Sequence, residues 1–249
     1  MSQMRSPRSL ETASDWIAML RGVASPTLPP ELLAPTVATN AQHPPAWLAS
    51  FTDTMGNRRR VDRPLLGDLA HVNPGPVPDL AKLDPEEAAW WALHDRTTLE
   101  AARIDLDAAG PLFEALRARG IEWWTQAELS GVHALSIIGV RDRSPAILQR
   151  VERCAMWLLD EVQPDNATQW PWAVHIFAAI SLDASRDASI RTAARHYAQT
   201  LVHNALVNTG QPDRFAASIL WTSAAWLEVA SSRDATSLPL CAALCPTPS

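Results

Sequence analysis

Ten of the 20 prolines in this chain of 249 residues fall between positions 26 and 78, in stretches such as SPTLPPELLAP, AQHPPAW and HVNPGPVPDL. Proline lacks a backbone N–H and has a fixed φ, so this stretch holds neither a long helix nor a central strand. It reads as an extended N-terminal arm with short helical turns near residues 15–23 and 45–51, whose Trp16 and Trp47 pin it to the main body. Further along, proline changes its place. In Asp84-Pro85-Glu86-Glu87, Ser144-Pro145 and Gln211-Pro212-Asp213 it stands where a helix begins, at 84 behind a capping aspartate and ahead of acids that favour the positive end of the helix dipole.

The apolar positions after each start follow a helical period. Ile147, Leu148, Val151, Ala155, Leu158, Leu159 and Val162 form one stripe, and Ile190, Ala194, Tyr197, Leu201 and Ala205 form another. The pattern predicts helices over residues 85–106, 111–118, 124–138, 145–162, 169–182, 187–207 and 213–231, and no segment alternates like a strand. Nine glycines are about half the usual share of roughly 7%, which disfavours a turn-rich β protein. Short linkers imply antiparallel hairpins. The expected fold is therefore all-α, with helical hairpins in an α/α-toroid-like or solenoid array: a Pro-rich extended arm over 1–83, then a helical-hairpin domain over 84–249. A repeat of about 42 residues, which relates His133 to His175 and Asn166 to Asn208, agrees with such an array.

Composition removes several function classes. A formal charge of −6 gives no general footprint for nucleic acid or an anionic membrane, and Arg58-Arg59-Arg60 reads as a solvated loop. The longest apolar run, AVHIFAAISL, is far short of the ~20 residues of a membrane span, and the N-terminus has no signal-like apolar region, so a cytoplasmic protein is expected. Cys154, Cys241 and Cys245 are odd in number and lack CxxC spacing, which argues for reduced thiols and against a structural zinc site. Gly-rich phosphate loops, HExxH and GxSxG are absent, so no cofactor and no metal is expected.

Chemistry is sought instead at DNATQWPWAVHIF, residues 165–177. Asn166 or Thr168 caps a helix here, Pro171 fits its first turn, and Trp172, His175, Ile176 and Ala179 share a face. His133 lies in an equivalent setting beside Leu129, Val132, Ser136 and Ile137. Two readings follow. Each imidazole is a core residue bonded to a backbone carbonyl, or the two line a common cavity with Glu128, Asp165 and Arg214 at neighbouring helix ends. Asp95 interrupts the apolar stripe of the first long helix and needs a partner or a pocket.

Two functions stay open. The first is a binding or scaffold module that holds a protein or peptide on a concave helical surface, as helical repeats do. The alternative is an α/α-toroid-type enzyme acting on a glycan or polar small molecule. In it His133, His175, Asp95 and Glu128 supply acid–base chemistry, and Trp172, Asn166, Asp165 and Arg214 contact the ligand.

Overall fold

The computed structural model describes residues 10–33, 43–164 and 169–231. Among them are ten α-helices, short 3-10 turns and no strand. The first three helices are α1 (Ala13–Ala24), α2 (Ala46–Ala49) and α3 (Asp62–Leu69). Next come α4 (Pro85–Trp91), α5 (Thr98–Ala101), α6 (Ile121–Arg141) and α7 (Pro145–Glu161). After these come α8 (Val174–Leu182), α9 (Ala188–Leu206) and α10 (Arg214–Ser231).

Local chemistry explains most of the boundaries. Thr12 and Asp15 form a capping box on α1, and Asp84 and Glu87 form another on α4, whose first residue is Pro85. The Ser144 side chain caps α7, again ahead of a proline. The predicted helix over 85–106 breaks into α4 and α5. Its break is Asp95, whose carboxylate accepts from the Thr97 backbone N–H at 3.0 Å and from the Thr97 hydroxyl at 2.8 Å. A short acid that bonds its own backbone competes with the helix ladder, and here it wins. The predicted start at residue 169 moves to Val174, because Ala173 takes a left-handed conformation with φ 54° ahead of it.

Packing joins the helices in a definite succession. α4 lies on α3 and α6, α8 on α10, and α10 on α3. α6 and α8 meet through the rings of His133 and His175, 4.5 Å apart. Against these lie α5 on α4, α7 on α6, α9 on α8 and α1 on α10. Trp16, Leu20, Leu48, Leu65 and Leu66 from the first 83 residues share one buried cluster with Trp90, Trp124, Leu135 and Phe177 from the rest.

α6 is buried over most of its length and runs through this cluster. It is also crowded. A Cβ on Gly131 would come within 2.4 Å of the Phe113 ring, and one on Gly139 within 2.7 Å of Leu148. The irregular segment between α5 and α6 is held by the buried Arg150 and the half-buried Arg153 of α7. Arg150 donates to the carbonyls of Asp105, Gly110 and Pro111 at 2.8, 2.8 and 2.6 Å, and Arg153 holds those of Leu106 and Ala108.

Candidate functional site

The two histidines are core. His133 is fully enclosed and His175 is 5% exposed. The Ser136 hydroxyl donates to the His133 carbonyl at 2.6 Å, so at its 2.8 Å contact with His175 it accepts from Nε2–H. His175 Nδ1 then accepts from Ser223 at 3.3 Å. His133 Nδ1 accepts the backbone N–H of Ala173 at 3.2 Å, which leaves the proton on Nε2, an atom with no hydrogen-bond partner. The tryptophan rings of Trp90 and Trp172 stand 5.6 and 5.7 Å from the His133 ring. Burial pushes the His175 imidazole down to about 3 and holds His133 well below its ordinary value, with the His175 charge adding to the effect on His133. Both are neutral at pH 7. The void beside His175 is about 20 Å³, room for a water molecule and no ligand.

The other residues singled out from the sequence are dispersed. Glu128 is buried and accepts from the backbone N–H groups of Leu112 and Phe113, both at 2.6 Å, with the Cys154 thiol 3.7 Å away. Burial raises its carboxyl to about 7 against the pull of those two N–H groups. Its work is to anchor the segment that α6 packs against. Asp95 closes the turn between α4 and α5. Arg214 holds the Asp53 carbonyl at 3.2 Å and lies over the Phe51 ring. Asp165 and Asn166 lie outside the described residues. Of the described members of the set only Trp172 lines the large cavity.

That cavity, of about 920 Å³, opens where α4 and α6 begin. Helix starts bring acids here for a local reason, since the first turn favours negative side chains. α4 contributes Asp84, Glu86 and Glu87, and α6 contributes Glu122, Trp123 and Gln126 after Gly120, which takes φ 110° at the turn into the helix. The segment before α8 supplies Gln169, Trp170 and Trp172, and the loop before α3 supplies Arg58, Arg59 and Arg60.

Most of these charges already have partners. Arg60 pairs with Glu87 at 2.7 Å, and Arg119 clamps Asp84 through two bonds of 3.0 and 2.7 Å. Arg59 pairs with Asp53 at 2.8 Å, and its guanidinium carbon lies 4.1 Å from the Trp170 ring centre and 4.3 Å from that of Phe215. This contact fixes the tryptophan as a wall. Arg58 is spent on the backbone carbonyls of Phe51, at 2.9 Å, and Ala49.

Glu86 differs from its neighbours. It is packed among protein atoms and keeps part of its surface toward the cavity. Its carboxylate is bonded by the Ser130 hydroxyl, which in turn accepts from Trp90 Nε1 at 2.8 Å. Burial, reinforced by the charges of Glu87 and Asp84, raises its carboxyl to about 7, against the opposing bond from Ser130. An acid group with that affinity on a cavity wall both gives and takes a proton near neutral pH.

In the sequence Glu86 registers only as a helix-start acid, and the arginine run as a solvated loop. Their meeting depends on contacts between distant segments, for which no local pattern exists. Among the described residues no group of three or more His, Cys, Asp or Glu side chains is arranged to hold a metal ion, and no helix is long and apolar enough to cross a membrane. The chain matches no family model, no curated protein and no solved structure.

Proposed function

We propose that this chain is an enzyme of the α/α-toroid type that acts on a glycan or similar polar small molecule in the cavity at the start of α4 and α6. The observation that carries the reading is Glu86 on the wall of that cavity, backed by Ser130 and Trp90 and faced by tryptophan. Two others support it. The contacts α3 to α4 to α6 to α8 to α10 and back to α3, with α5 on α4, α7 on α6, α9 on α8 and α1 on α10, are those expected of a two-layer helical ring. The cavity also lies where α4 and α6 both begin.

In this reading Glu86 moves the proton. In its acid form it protonates the leaving oxygen as the bond from that oxygen to the sugar carbon breaks, and as the anion it takes a proton back from the water that forms the new bond to that carbon. Glycoside hydrolysis uses two carboxyl groups, and Glu122 is our choice for the second, because it forms no ion pair among the described residues. The two histidines serve the framework, since neither reaches the cavity. A peptide-binding surface draws less support: of the eleven tryptophans, all among the described residues, only Trp123 is exposed.

The test is release of new sugar ends from a panel of polysaccharides by the wild-type chain and by Glu86→Gln, from pH 5 to 9. Turnover with one limb near pH 7, lost in Glu86→Gln, is the expected result. Equal activity in the variant would end the assignment.

A further inference from the structure

Building on that acid–base reading, we infer that the ligand is a linear chain of several linked sugar units, which leaves the cavity over Trp123 and continues along the start of α6. The size of the space is the first ground. A volume of about 920 Å³ stands at the upper end of the ~300–1,000 Å³ of small-molecule sites, so a single sugar ring leaves much of it empty.

The second ground is what lies next to it. A further cavity of about 330 Å³ flanks the same first turn of α6, and Glu122 belongs to the walls of both. Ile121, Trp124, Trp157 and Gln163 line this outer space, and Ile121 is exposed. A ligand that fills both must bridge the turn formed by Ile121, Glu122 and Trp123.

Trp123 is the third ground. It is 41% exposed on the rim, yet its ring is held, because the Arg119 guanidinium stacks 4.8 Å from its centre and is itself fixed by the two bonds to Asp84. A flat indole kept in place at a cavity mouth offers one face to an apolar sugar face at little entropic cost. With Glu86 in its acid form the charges favour a neutral ligand. Arg59, Arg60 and Arg119 are matched by Asp53, Glu87 and Asp84, and of the remaining groups Glu86 is then uncharged while Arg58 and Glu122 have opposite sign.

Unlabelled cello-, chito-, xylo- and malto-oligosaccharides of one to six units serve as probes, with binding to the full chain read by calorimetry. In the series that binds, affinity should rise through at least three units. Trp123→Ala should weaken the longest member about tenfold and the single sugar less than about twofold, and Trp123→Phe should restore most of the loss. Trp123 is on the surface, so these variants fold, which the near-ultraviolet circular dichroism checks. Affinity that stops rising at one unit, or a Trp123→Ala loss equal at every length, overturns the chain reading and leaves the Glu86 site standing. No binding in any series, with Glu86→Gln indistinguishable from wild type on polysaccharide, removes the acid–base reading and this inference with it.

Discussion

Replacing His175 by Gln removes one titration from the core and keeps a donor and an acceptor for Ser136 and Ser223, so it isolates what burial does to the imidazole. The folded-state value is about 3 against an ordinary 6.5. A depressed histidine leaves stability intact above the unfolded value and withdraws it as pH falls, because only the unfolded chain takes the proton. The withdrawn free energy is about 1 kcal/mol between pH 7 and 5.5 and about 3 kcal/mol between pH 7 and 4. Raised carboxyls at Asp62, Glu86 and Glu128 act in the opposite direction, since the folded chain then holds the proton more tightly. The absolute pH profile is therefore a mixture, whereas the wild-type minus variant difference cancels the shared groups. Urea unfolding at pH 7, 5.5 and 4, followed by tryptophan fluorescence, measures that difference. It should move in favour of the variant by about 3 kcal/mol at pH 4. A difference that stays constant within about 0.5 kcal/mol means that His175 titrates as if in water, and the enclosed pair is then wrong.

Two stability predictions come from the support around α6. Gly131→Ala puts a methyl against the Phe113 ring; overpacking costs about 1–3 kcal/mol, and the gain in helix propensity returns up to about 1, so a net loss near 1–2 kcal/mol in urea unfolding is expected. Arg150→Lys keeps the charge but leaves one nitrogen for three carbonyls, which costs about 3 kcal/mol or more and opens residues 105–111 to protease before the rest of the chain. Unchanged cleavage of that segment would show that Arg150 is not its clamp.

Helix starts were the most legible part of the fold, because each rests on neighbours in sequence. Asp84-Pro85 and Ser144-Pro145 open helices at the residues expected. Errors arose where one side chain outbid the ladder, as Asp95 does through Thr97, or where the backbone changed hand, as at Ala173. Trp123 belongs to α6 because the helix begins three residues earlier than its apolar period suggests. The histidines had two readings from sequence alone, and only the distance between Ser136 and His175, 39 positions apart, decides for the core. Glu86 and Arg60 were read separately as a helix-start acid and a solvated loop, though Arg60 reaches across 27 positions to the neighbouring Glu87.

The packing of α1 on α10 bears on how the molecule is made. Arg21 meets Glu228 across 207 positions, and Trp16, Leu20 and Ala24 are buried completely. During synthesis from the N-terminus, the apolar side of α1 waits for α10, which emerges only after α6 with α7 and α8 with α9 are able to pair. Closing so long a loop is slow relative to these neighbouring pairs. A nascent chain arrested before residue 214 should therefore keep α1 accessible to protease and chaperone, and emergence of α10 is the step that lets α1 dock.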